Sequence, residues 1–80
     1  MSKSAEQSRA EYTQRAWTLR RLSRQSSITA ADLQATDRLG RFDIACRHWH
    51  KCDAVAKQTL LNDGHAHVRS AALLERMIAA

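Results

Sequence analysis

Ile28-Thr29-Ala30-Ala31-Asp32-Leu33 is the stretch on which the reading of this chain turns, because two helix-start devices coincide in it. Thr29 can cap the free N–H groups of a first helical turn, and Asp32, three residues on, can reach back to the cap residue's own N–H. Ile28 before the cap and Leu33 after it stand where a hydrophobic staple needs them. The next strong stop is Asn62-Asp63-Gly64, since Gly adopts the left-handed conformation that ends helices most easily. The spacing therefore predicts one long central helix over 29–62, with Gly40 inside it and Trp49 past its midpoint.

Within that span Ala35, Leu39, Phe42, Cys46, Trp49, Asp53, Ala56 and Leu60 follow alternating steps of four and three, the narrow seam of a coiled coil or helical hairpin. Asp53 interrupts the seam, as a register marker or as the place where a partner helix ends. Upstream, residues 1–10 read as a flexible polar lead-in. Residues 11–24 read as a basic helix with Tyr12, Ala16, Leu19 and Leu22 on its apolar face and Trp17 alongside. Ser23 to Ser27 form a short loop. Downstream of Gly64, residues 65–79 predict a C-terminal helix whose Val68, Ala71, Leu74 and Met77/Ile78 face would fold back as a hairpin.

The totals agree with a single all-α domain over 1–80. There is no Pro, Gly occurs twice, and Ala, Leu, Arg, Gln and Lys abound. Of the hydrophobic residues 14 are Ala, and Leu, Ile, Val and Phe together also number only 14. A core from so thin a stock needs a staple, a metal or a partner, and a homo-oligomer is the expected remedy. Trp17, Leu39, Phe42, Trp49 and Leu60 are the expected interface side chains, Trp17 and Trp49 also having a reading as core. No apolar run is long enough for a membrane span or a secretory core. Cys46 and Cys52 lie about 9 Å apart along one helix, too far for a disulfide, which fits a reducing, cytoplasmic setting.

Charge is unevenly placed. The net charge is +5, of which residues 1–24 carry +4 and the remaining chain +1. A basic arm on a nearly neutral helical body fits a polyanion such as DNA. Arg9, Arg15, Arg20, Arg21 and Arg24 are the expected phosphate contacts, with Arg41, Arg47 and Lys51 as further candidates.

Other chemistries fit poorly. In Cys46-Arg47-His48-Trp49-His50-Lys51-Cys52, helical geometry puts Cys46 and His50 on one face and His48 and Cys52 on another, so no metal is expected, and Cys46 is the one read as core. No strand–turn–helix exposes a nucleophile and no Gly-rich loop cradles phosphate, so neither an enzyme nor a cofactor is expected. A helix-turn-helix hinged at Gly40 would want small apolar neighbours where Thr36 and Arg41 stand.

The Ile28-Thr29-Ala30-Ala31-Asp32 start, a long helix centred on Arg47-His48-Trp49-His50, and a turn leading to a shorter amphipathic helix resemble the central part of phage small terminase subunits. The resemblance covers roughly residues 17–78. It departs where Val68-Arg69 replaces an expected Pro, in the absence of a closing segment, and in the N-terminal lead-in. It implies a non-catalytic, self-associating DNA-binding component of viral genome packaging, located in the cytoplasm of a bacterial host and meeting a packaging motor subunit. The alternative is a small phage-type inhibitor or adaptor that regulates another protein, with Trp17, Phe42 and Trp49 as anchors.

Overall fold

Where the helices begin is decided by four side chains that satisfy free first-turn N–H groups in the same way. Ser4 accepts from the Gln7 N–H at 3.1 Å, Thr29 from Asp32 at 3.3 Å, Asp37 from Gly40 at 2.9 Å and Asp53 from Ala56 at 2.8 Å. Each such cap is worth about 1 kcal/mol. In the computed structural model, which describes residues 4–79, they open α1 (Ala5–Ser23), α2 (Ala30–Gln34), α3 (Arg38–Arg47) and α4 (Ala54–Leu61). A 3-10 turn, Trp49–Lys51, joins α3 to α4, and α5 (Ala66–Ala79) closes the domain. The described residues are all-α.

The capping box at Thr29 and Asp32 forms in full, but the helix it starts is five residues long. The expected 29–62 helix is instead three helices and a turn. Asp37 and Asp53 draw backbone N–H groups onto their own carboxylates, which ends one helix and starts the next. The breaks are locked from outside: the Ile28 N–H donates to the Lys51 carbonyl at 2.8 Å, and the Asp53 N–H donates to the Ile28 carbonyl at 3.0 Å. This pairs Ile28 with Cys52 in an isolated parallel bridge, both residues buried. Gly40 is not the break; it lies in the first turn of α3. The lead-in is also shorter than expected, because Ser4 starts α1 six residues before Glu11 would; residues 1–3 lie outside the described part.

Gly64 takes no positive φ. Asp63 makes the α4–α5 corner: its carboxylate accepts the His65 N–H at 2.9 Å and Arg41 Nε at 2.6 Å, while its carbonyl accepts from Arg69 at 2.6 Å. From that corner α5 folds back on α4 and lies along α3. It runs in the same direction as α3, with Arg38 against His65 at one end and Cys46 beside Glu75 at the other.

Leu22, Ile28, Leu33, Ile44, Leu60 and Val68 fill the core, and Ala45, Ala56 and Ala72 let the helices approach. Each new cap resets the helical phase, so the predicted faces are rotated. α3 buries Gly40, Ile44 and Ala45 and leaves Leu39, Phe42 and Cys46 outside. α1 buries Thr18 and Leu22 and exposes Tyr12. α5 buries Val68, Ala71 and Ala72, with Leu74, Met77 and Ile78 exposed. The core thiol is Cys52 rather than Cys46, and burial pushes it up to about 11. Trp49 is buried in the 3-10 turn with the Lys57 ammonium 5.5 Å from its ring centroid.

Gly40 is required for a packing reason. A methyl built there collides with Thr36 Oγ1 and comes within 3.1 Å of Thr36 Cβ. Thr36 is itself buried, its hydroxyl without a hydrogen-bond partner among the described residues. Helix propensity alone would make Gly40→Ala stabilising by about 1 kcal/mol. The collision reverses the sign, and the expected outcome is a net loss of about 1–2 kcal/mol by urea denaturation. Adding Thr36→Ala removes the obstacle, so the double variant should recover at least wild-type stability; a Gly40→Ala protein more stable than wild type would refute this packing.

Candidate nucleic-acid interface

α1 contacts the rest of the molecule along a narrow strip. Thr18 and Leu22 are buried, Glu11, Arg15 and Leu19 are partly covered, and the other α1 residues are exposed. At 3.6 residues per turn, Arg9, Thr13, Trp17, Arg20, Arg21 and Arg24 fall within about 120° of arc on the opposite side. The Trp17 indole is 64% exposed, with the Arg20 guanidinium 5.8 Å from its ring centroid. Trp17, Arg20, Arg21 and Arg24 together line one shallow surface depression, and Tyr12, Thr13 and Ala16 continue it with Trp17 and Arg20.

The structure sorts the eight basic candidates by what already holds them. Arg9, Arg20 and Arg24 make no ion pair among the described residues. Arg21 is half committed, bonded to Gln25 at 3.0 Å and 3.8 Å from Asp32 while more than half exposed. Arg47 pairs loosely with Asp43, one turn away on α3, at 3.3 Å. Three candidates are spent on the fold. Arg15 is bound to Asp37 at 2.7 Å, tying α1 to the start of α3. Arg41 is held by Asp63 and by the Thr36 carbonyl, and Lys51 donates to the Ser23 carbonyl at the end of α1. These three are structural cations and not open phosphate contacts.

The expected interface side chains also separate. Trp49 and Leu60 are core, so neither is available to a partner. Trp17, Leu39 and Phe42 are exposed. Trp17 is therefore not a core residue, because the α1 strip that touches the body lies on the other side of the helix. Tyr12, expected on the apolar face of the helix, is a second exposed ring beside the basic face, with Arg15 5.8 Å from its centroid. Only its neighbours betray this: Tyr12 stands among Glu11, Thr13, Gln14 and Arg15, polar on both sides.

α2 and α3 are joined by three residues, but the outer face of α3 carries Leu39, Phe42 and Asp43, a poor surface for reading an anion. A cleft of about 490 Å³ between α1 and the α2–α3 turn has the Arg15–Asp37 pair in its wall. Among the described residues no three His, Cys, Asp or Glu groups are placed to hold a metal, and no helix is long and apolar enough to cross a membrane. Arg47-His48-Trp49-His50 spans the end of α3 and the 3-10 turn, not the middle of a long helix. No family model, curated protein or solved structure matches the chain.

Proposed function

We propose that this is a non-catalytic DNA-binding protein that grips the phosphate backbone with the outer face of α1. The observation that carries the reading is the alignment of Arg9, Arg20 and Arg24, in no ion pair among the described residues, with an exposed Trp17 in one helical arc. Guanidinium groups fork onto phosphate oxygens, and an indole face offers a stacking platform to an unpaired base. Packaging of a phage genome in a bacterial cytoplasm, which the resemblance to small terminase subunits implies, is the specific setting of this reading.

The test is binding of labelled duplex and single-stranded DNA between about 50 and 200 mM salt, where log K should fall against log salt with a slope near −3 for three to four neutralised phosphates. Absence of binding to either form at the lowest salt would sink the proposal. An adaptor that docks α1 on an acidic protein would then take its place.

A further inference from the structure

The two helices that form the heart of the domain leave an apolar stripe along one edge. Arg38, Leu39, Phe42, His65, His67 and Val68 line a shallow groove between the N-terminal halves of α3 and α5. Cys46 continues the α3 wall in the steps of Leu39 and Phe42, and Leu74 and Ile78 fall on the α5 strip that begins at His67. Leu39, Phe42, Leu74 and Ile78 are between 41% and 69% exposed, and Cys46 is exposed as well. Monomers seldom leave so contiguous an apolar surface uncovered.

The charges at its ends say what covers it. Arg38 stands at the N-terminal end, its guanidinium on His65, and Glu75 lies near Cys46 at the other; neither makes an ion pair among the described residues. They are separated by roughly 12 Å of α3 and cannot meet within one copy. A two-fold axis across the stripe near Phe42 brings the Arg38 end of one copy to the Glu75 end of the other, twice, because a two-fold contact is self-complementary. We propose that a second copy of this chain docks antiparallel on the α3–α5 stripe, burying Leu39, Phe42, Leu74 and Ile78 from both sides. None of the α1 arginines lines the groove, and the inference is independent of the DNA reading.

Sedimentation equilibrium of the full chain tests it, with the mass expected to rise from 9.0 kDa towards twice that value as concentration increases. Phe42→Glu and Leu74→Glu should each hold the protein at the monomer mass with unchanged far-UV helix signal. Val55→Glu, at an exposed apolar site on α4 away from the stripe, should dimerise as wild type does. Arg38→Glu and Glu75→Arg should each weaken the dimer about tenfold, and the two together should restore it, because their partners lie in opposite copies. A wild type that stays monomeric at about 100 µM, or a charge swap without rescue, overturns the proposed arrangement.

Discussion

Asp63→Ala is expected to lower the melting temperature by on the order of 10–20 °C, the largest single-residue loss outside the apolar core. Asp63 is 8% exposed and receives Arg41 at 2.6 Å and the His65 N–H at 2.9 Å. Through Arg41, which also donates to the Thr36 carbonyl, it ties the α4–α5 corner to the α2–α3 turn. Deletion leaves a half-buried guanidinium unpaired and a helix-entry N–H without an acceptor. Breaking a buried pair costs about 3–5 kcal/mol, and the partial exposure of Arg41 places this case near about 3. For a chain of this size that is a large part of the total stability. Asp63→Asn keeps the acceptor and loses the charge, so its expected loss is about half as large.

The same pair sets an acid limb. Burial by itself would raise the Asp63 carboxyl, but the Arg41 hydrogen bond, the His65 N–H and the Arg41 charge outweigh it and hold the group below its ordinary 3.8. A depressed carboxyl stabilises the fold fully above the unfolded value, and that stabilisation disappears as pH falls through the lower folded value. Thermal melts between neutral pH and pH about 3 should show this limb in wild type and a shallower one in Asp63→Asn. Equal acid sensitivity in the two proteins would contradict the role given to the pair.

Changing Arg9, Arg20 and Arg24 together to Ala should weaken DNA binding by about 10²–10³ near 0.1 M salt and flatten the salt slope by up to about three. These arginines make no ion pair among the described residues, so their charge is available to phosphate and their loss should leave the fold alone. Arg15→Ala makes the informative contrast. It breaks the link to Asp37, a contact with an arginine side chain only 17% exposed, and should lower stability while leaving the salt slope unchanged. Trp17→Ala should spare duplex binding and weaken single-strand binding about tenfold, the scale of one lost base stack. A triple variant with an unaltered slope would remove α1 from the interface.

How much of this was legible in the residues depends on the range of the interaction. The Thr29–Asp32 box is local and reads correctly, as does the start of the C-terminal helix after Gly64. Asp37 and Asp53 are also local caps, but neither has a side-chain acceptor three residues on, and a four–three seam runs through both without losing step. What fixes the break at Asp53 is the pairing of Ile28 with Cys52, and what holds Asp37 from outside is Arg15 on α1; no window of neighbouring residues contains either pair. The basic arm was visible as composition. Which arginines are free was not, since Arg15 and Arg41 each find their carboxylates 22 positions away.

The Ile28–Cys52 bridge carries a consequence for the order of events in folding. Closing a loop of about 24 residues costs about 3 kcal/mol in chain entropy. The two hydrogen bonds of the bridge return about 1 kcal/mol each, which does not cover that cost. The clasp therefore closes only after Leu33, Ile44 and Leu60 have collapsed around it. Once shut, it ties the end of α1's loop to the start of α4, so that α2 and α3 are held in a closed loop.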